Sequence, residues 1–122
     1  MPEIDDLIDR YIAAWNETDE ARRRDLVART FAPEAHYIDP MMQATGLAEI
    51  AAMIRAVQQR FPDHRFRRIG KSDAHNDRAR FSWELASEGG PVLAGGTDFA
   101  VVADGRFRAV TGFLDRLPAT QP

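Results

Sequence analysis

No cysteine occurs among the 122 residues, so disulfide bonds, thiolate metal ligands and a cysteine nucleophile are excluded. The sequence also lacks an apolar run near the roughly 18 residues of a membrane-spanning helix, and it begins with an acidic segment instead of a basic leader. Basic residues number 16 against 19 acidic ones, and the net charge of −3 argues against nucleic acid or an anionic membrane as the main partner. We therefore expect a soluble, cytoplasmic protein.

Common nucleotide-binding, metalloprotease and serine-hydrolase motifs are missing as well. There is no GxGxxG, P-loop, HExxH or GxSxG segment, so hydride transfer, phosphoryl transfer and serine-based hydrolysis lose their usual support. His36, His64 and His75 fit no metal-ligand spacing, although His36 or His64 could relay a proton near the mouth of a site. We expect neither a metal nor an organic cofactor.

The residues that are present fit one globular domain. Hydrophobic residues make up 44% and charged residues 29%, both near the globular average, and 122 residues suffice for one sizeable core. No internal repeat or linker divides the chain. We predict a single domain over residues 1–117 and a loose C-terminal tail over residues 118–122.

Three helices are predicted in the first half of the chain. The first carries apolar residues at helical spacing up to an interruption at residues 16–19, where Thr18 is a candidate N-cap. The second covers about residues 20–30, and its arginines at 22–24 fit a solvated face better than a phosphate-binding patch. The third lies between Gly46 and Pro62. The apolar stripe of the first helix consists of Ile4, Leu7, Ile8, Tyr11, Ile12 and Trp15.

From residue 64 onward the helical spacing is lost. Together with a short run at 35–39, the later segments predict strands at about 64–70, 77–87, 91–103 and 106–116. Asp104-Gly105 is a typical hairpin turn, and Gly95-Gly96 indicates a bend or bulge. Helices first and an antiparallel meander last predict an α+β fold, with a cavity between the helices and a curved sheet.

Two aspartates occupy positions that are unfavourable for structure alone. Asp39 closes a strand-like run before Pro40, and Asp98 lies in a segment that otherwise resembles a buried strand. Asp is depleted in strands, and burial of its charge is costly unless the carboxyl is paired or its pKa shifts. Because two carboxyls in different surroundings can hold opposite protonation states, the pair is a candidate for acid–base chemistry.

Six short segments follow one another along the chain: Arg10-Tyr11-Ile12, Phe31-Ala32-Pro33-Glu34-Ala35, Ile38-Asp39-Pro40, Gly46, Thr97-Asp98 and Asp104-Gly105-Arg106. In order and spacing they resemble the nuclear transport factor 2-like (NTF2-like) superfamily, and within it the SnoaL-like polyketide cyclase and ketosteroid isomerase branch. The resemblance covers essentially the whole chain. It implies a cystatin-like or NTF2-like cone, in which three N-terminal helices pack in the concave face of a curved, mostly antiparallel sheet.

By position, the resemblance puts Asp39 on the general base of the isomerases, and Tyr11 and Asp98 on their two oxyanion-hole donors. It implies a cofactor-independent isomerase, cyclase or dehydratase acting on a carbonyl compound. Tyrosines that support the donor in isomerases are matched here by Phe31 and Ile54, which have no hydroxyl, so we expect a small apolar ligand instead of a steroid. The expected cavity wall consists of Trp15, Phe31, Tyr37, Met41, Met42, Ile54, Phe61, Phe66, Phe81, Trp83, Leu85 and Leu114.

Each assignment has a structural alternative. Asp39 could close an Asx-type turn, Asp98 could be a salt-bridged or rim residue, and Tyr11 could be an ordinary core residue. Asp115 resembles an aspartate on the final strand of SnoaL-like cyclases, or it pairs with an arginine of the same strand. For the whole protein, the alternative is a non-catalytic ligand-binding or dimerisation module.

Strand alternation leads to an expectation about assembly. If Asp98 faces the cavity, then Phe99 and Val101 face outward, and so do Thr111 and Phe113 on the last strand. Large apolar side chains on the convex face would be left in water by a monomer. We therefore predict a homodimer that packs sheet against sheet.

Overall fold

Apolar stripes on three helices meet one face of a six-stranded sheet, and the core lies between them. This computed structural model describes residues 2–117, so the predicted loose tail lies outside the described residues. The elements in chain order are α1 (Pro2–Asn16), α2 (Glu20–Thr30), β1 (Phe31–Ile38), β2 (Gln43–Thr45), α3 (Leu47–Arg60), β3 (His64–His75), β4 (Arg78–Ser87), β5 (Val92–Ala103) and β6 (Arg106–Arg116).

The sheet has the strand order β2-β1-β6-β5-β4-β3, and its neighbours are antiparallel except for the parallel pair of β1 and β6. The predicted α+β cone, with helices on the concave side of a curved and mostly antiparallel sheet, is therefore confirmed. In the part of the chain that the structure describes, no helix combines the length and apolar character needed to span a membrane.

Strand register determines which side chains face the helices. Asp98 pairs with Phe81 on β4 and with Gly112 on β6, so these three residues form one row across the concave face. Phe99 and Phe113 lie on the opposite face, where both side chains are exposed. The predicted alternation of β5 is correct.

Several local predictions need correction. Asp19, not Thr18, caps α2, because its Oδ2 accepts the Arg22 N–H at 2.9 Å. Arg23 is not on a solvated face: it is buried, and its guanidinium donates to the Glu17 carbonyl at 3.1 Å and to Gln58 Oε1 at 3.0 Å. One of the three successive arginines of α2 therefore links this helix to the segment after α1 and to α3.

The first two strands also differ from expectation. β1 begins at Phe31 instead of residue 35, and its register against β6 shifts between Phe31 and His36. That shift accommodates Pro33, which has no N–H to contribute to a regular ladder. The three-residue strand β2 was not predicted, since a run this short has no alternation to detect.

Candidate active site

A cavity of about 400 Å³ opens between α1, α3 and the concave face of the sheet. The turn at residues 39–42 and the end of α3 form its mouth. Asp39 and Arg60 bring charge to a wall that is otherwise mostly apolar. The wall consists of Tyr11, Ile12, Trp15, Tyr37, Asp39, Met41, Met42, Ala56, Val57, Arg60, Phe61, Phe66, Trp83, Leu85, Ala94, Leu114 and Leu117.

Four residues proposed from the sequence lie behind this wall instead of on it: Phe31, Ile54, Phe81 and Asp98. The ring of Tyr11 packs against Phe31 and Phe81, with ring centroids 5.8 and 5.2 Å apart, and covers them from the cavity side. From the third helix segment, Ile54 and Phe61 were predicted to line the wall, and the prediction omitted Val57 and Arg60. Val57 and Arg60 continue the apolar side of that helix toward the mouth, and their spacing of three residues could have identified them.

Asp39 is fixed on the cavity wall through both carboxylate oxygens. Oδ1 accepts the backbone N–H groups of Met41 and Met42 at 2.8 and 3.0 Å, which is the Asx-type turn considered as an alternative. Oδ2 accepts the hydroxyl of Tyr37 at 2.6 Å. Tyr37 and Asp39 are two residues apart in and just after β1, a spacing that puts their side chains on the same face. The turn therefore orients the carboxylate and does not remove it from the cavity.

Asp98 is only 2% exposed and has no ion pair among the described residues. Its Oδ2 accepts the hydroxyl of Tyr11 at 2.7 Å, and its Oδ1 accepts the indole N–H of Trp83 at 3.1 Å. The salt-bridged and rim alternatives are thus wrong for Asp98. Tyr11 is a buried core residue whose hydroxyl also connects the cavity wall to this carboxyl.

The surroundings of Asp98 alter its acidity. Burial raises the pKa of Asp98 to about 6, against the opposing effect of the Tyr11 and Trp83 hydrogen bonds, and the nearby charge of Asp39 raises it further. Burial, and then the charge of Asp98, raise the pKa of both Tyr11 and Tyr37 above the ordinary tyrosine value, so both phenols stay protonated.

Gly112 brings the two carboxyls close together. A methyl group added at Gly112 would lie 2.9 Å from Asp98 Oδ1, 3.2 Å from Asp39 Cβ and 3.5 Å from the Tyr37 hydroxyl. The absence of a side chain at this point of β6 leaves room for one carboxyl in the core and one on the cavity wall.

The remaining candidates lie outside the cavity wall. Nδ1 of His36 faces Thr45 Oγ1, and Nδ1 of His64 faces the Pro62 carbonyl, each at 2.9 Å. Asp115 is exposed and accepts the Thr97 hydroxyl at 2.7 Å, so the predicted pairing with an arginine is wrong. Within residues 2–117, no three His, Asp or Glu side chains gather as metal ligands do.

Residues 8–110 match the sequence model of the family described as SnoaL-like domain. Among curated proteins no sequence gives a significant match.

Solved structures give further matches. A proposed isomerase of the SnoaL-like family from Agrobacterium tumefaciens is 46% identical, with a TM-score of 0.89 over 94% of this chain and 99% of that chain. A proposed polyketide cyclase from Sinorhizobium meliloti is 19% identical, with a TM-score of 0.70 over 90% of this chain and 97% of that chain. A proposed ketosteroid isomerase from Kribbella flavida is 22% identical, with a TM-score of 0.70 over 99% and 84%. At such low identity, the last two similarities concern the fold alone.

Proposed function

This chain belongs to the family of SnoaL-like domains, and we propose that its cavity binds a small apolar carbonyl compound on which Asp39 acts as a general base. Isomerisation, cyclisation and dehydration of such compounds all begin with removal of a proton next to a carbonyl group. The observation that carries the proposal is the pair of carboxyls at Gly112: Asp39 on the cavity wall and Asp98 in the core.

Asp39 has the geometry required of a base. Two backbone N–H groups hold Oδ1, while Tyr37 holds Oδ2 from one side, so the carboxylate has a fixed orientation toward the cavity. Fixed orientation lowers the entropic cost of reaching the reactive arrangement. The mostly apolar wall keeps water away from the bound carbon acid.

Asp98 acts through Tyr11 and is a positioning residue. While Asp98 is ionised, the hydroxyl proton of Tyr11 is committed to its Oδ2. When Asp98 is protonated, its carboxyl donates to the Tyr11 oxygen, and the Tyr11 proton becomes available to an oxygen that gains negative charge in the cavity. Because the pKa of Asp98 is raised to about 6, this second arrangement is populated near and below that pH.

The test is deuterium uptake by a bound ketone. In D₂O, the wild-type protein should accelerate exchange at the carbon next to the carbonyl of 1-tetralone, measured by proton NMR. Asp39→Asn should lower this rate by about 100-fold or more, the range expected for loss of a general base. Asp115→Asn, which changes an exposed carboxylate outside the cavity, should leave the rate unchanged.

Two results would contradict the catalytic proposal. One is uptake at the solvent background; the other is an equal rate for wild type and Asp39→Asn. If 1-tetralone binds in either case, the non-catalytic alternative of a ligand-binding module is favoured.

We also propose that the protein is a homodimer that packs through the convex face of the sheet. Phe99 and Phe113 on that face contact each other edge to face, with centroids 5.7 Å apart, and are 43% and 54% exposed. Ile38 on β1 adds a third exposed apolar side chain to the same face. A second copy of the chain would remove this surface from water.

A further inference from the structure

The mouth of the cavity carries a cationic side chain that has no carboxylate partner. Arg60 is the last residue of α3; it is exposed, lines the cavity, and forms no ion pair within residues 2–117. By contrast, the guanidinium of Arg55 on the same helix lies 3.7 Å from a carboxylate oxygen of Glu20. Among the described residues, Arg60 is also the only cation on the cavity wall. Its guanidinium is therefore available to an anionic group of a ligand.

Helix geometry puts Arg60 on the side of α3 that faces the cavity. Ala56 and Val57 precede it by four and three residues, a spacing that puts all three on one side of the helix, and all three line the cavity. The guanidinium carbon lies 5.7 Å from the centre of the Phe61 ring, and Phe61 lines the cavity as well. An arginine can cover apolar surface with its stem while its charged end stays in water. The exposed guanidinium thus lies at the mouth, where α3 ends.

Asp39 and Arg60 give the cavity wall two charges of opposite sign. The carboxylate of Asp39, held by Tyr37 and by the turn at 39–42, repels an anionic group of a ligand, whereas Arg60 attracts it. A single guanidinium matches a single carboxylate in charge, and it can donate two parallel hydrogen bonds to it. A phosphate dianion would find no second cation on the described wall. The remaining, mostly apolar wall suits a hydrocarbon body.

We propose that Arg60 binds a carboxylate group of the ligand, and that the cavity selects keto acids with an apolar body over neutral ketones. The inference rests on the proposed function for the ketone part of the ligand, which would lie with its acidic carbon at Asp39 and its carboxylate at Arg60. A structural alternative exists, because a cation in the last turn of a helix also stabilises the helix. That role would affect the stability of the protein but not its choice between ligands.

Binding of 3-benzoylpropanoate and of its primary amide tests the inference, because the two ligands have nearly the same shape and differ in charge. Wild type should bind the carboxylate about fivefold or more tightly than the amide, measured by titration in a proton–nitrogen correlation spectrum. Arg60→Met keeps an unbranched apolar stem and removes the charge, so it should reduce the preference to less than about twofold. Arg60→Lys keeps the charge and should give a preference between those of Arg60→Met and wild type.

Arg55→Met is the matched control. It removes the same charge from the same helix, but Arg55 pairs with Glu20 and does not line the cavity, so the preference for the carboxylate should equal that of wild type. Salt gives a second measurement on the unmodified chain. Raising the concentration of sodium chloride from about 50 to about 500 mM should weaken binding of the carboxylate and leave binding of the amide unchanged.

Equal affinity of wild type for the carboxylate and the amide would overturn the inference. A preference that persists in Arg60→Met, or that falls equally in Arg55→Met, would overturn it too, as would failure of both ligands to bind at millimolar concentration. With any of these results, Asp39-dependent deuterium uptake by 1-tetralone would still uphold the proposed function. An Arg60-dependent preference for the carboxylate without deuterium uptake would uphold the binding role and contradict only the proposed catalysis.

Discussion

Asp98 is a buried carboxyl whose partners are both uncharged donors. The hydrogen bonds from Tyr11 and Trp83 favour the ionised form, but the effect of burial is larger, and the pKa of Asp98 rises. Asp5 shows the opposite case on the surface: hydrogen bonds from Arg68 and then Ser72 lower its pKa. Asp98 lacks such a cation among the described residues, so folding favours its protonated form.

This difference makes stability depend on pH. Because the pKa of Asp98 is about 6 in the folded chain and 3.8 in the unfolded reference, the folded protein holds this proton more tightly. The stabilisation of the folded state by this proton on Asp98 is complete below pH 3.8 and is lost as the pH rises through 6. Between pH 5 and pH 8, the free energy of unfolding of wild type should fall by about 1 to 2 kcal/mol relative to Asp98→Asn, measured by urea denaturation. Asp115→Asn should follow wild type; identical pH dependence of wild type and Asp98→Asn would contradict the prediction.

Single site residues were predictable where a residue type that is rare in strands occurs in a strand-like segment. Asp39 and Asp98 were conspicuous because aspartate is unfavourable in strands; Asp39 lies on the cavity wall and Asp98 lies behind it. Phe31 and Phe81 were assigned to the cavity wall, but alternation gives only the face of a strand. Tyr11 covers these two rings because of its position across the helix–sheet interface. The sequence carries no signal for the distance between the Tyr11 ring and the rings of Phe31 and Phe81.

At the level of elements, the pairing of β4 with β5 puts Trp83 opposite Gly96, two residues before Asp98, and β5 in turn pairs with β6. The register shifts between Gly95 and Gly96, and the extra residue on β6 is Asp115. Gly96 lies against both the backbone and the indole: an added methyl group would be 2.6 Å from the Phe113 carbonyl oxygen and 2.6 Å from Cζ2 of Trp83. The predicted irregularity at Gly95-Gly96 is thus present, but its extra residue lies on β6, and Gly96 itself allows the indole to lie close to the strand.

Gly96→Ala should therefore destabilise the fold and displace Trp83. Neither the backbone carbonyl nor the packed indole can move freely, so we expect a loss of about 1 to 3 kcal/mol in the free energy of unfolding. Urea denaturation measures the loss, and tryptophan fluorescence reports the displaced indole. Gly95→Ala is the matched control, since its nearest atom, the Trp83 carbonyl oxygen, would be 3.3 Å away. Equal free energies of unfolding for Gly96→Ala and Gly95→Ala would contradict the prediction, because they would show that a methyl group fits at Gly96.

Elements that show a periodic pattern over many residues, or that are bounded by a strong turn signal, were predictable, and the others were not. The helical stripes, the Asp104-Gly105 turn and the last strand agree with the sequence, because many residues contribute to each pattern. β3 continues to His75 instead of ending at residue 70, since pairing with β4 carries it past Gly70 through a register shift between Ile69 and Asp73. Such an extension depends on the partner strand, which local sequence does not describe.

At the scale of the whole molecule, the sheet separates two surfaces of different character. Its concave face holds the cavity and the carboxyl pair, while its convex face exposes Phe99, Phe113 and Ile38. Charged pairs adjoin these apolar side chains on the outer strands, including Arg80 with Asp73 at 3.3 Å. An apolar centre with a charged border is typical of a protein interface, and an isologous dimer would bring two such centres together.

Phe113→Glu should convert the proposed dimer to a monomer without unfolding it. A carboxylate at this half-exposed position is tolerated in water but would be buried without a partner in a sheet-to-sheet interface. In sedimentation velocity at micromolar concentration, wild type should sediment at about twice the 13.7 kDa chain mass and Phe113→Glu at the chain mass. Met41→Glu, which also adds a charge at an exposed apolar residue but at the cavity mouth, should remain a dimer. Monomeric wild type, or a dimer that persists in Phe113→Glu, would mean that the convex face is not the interface.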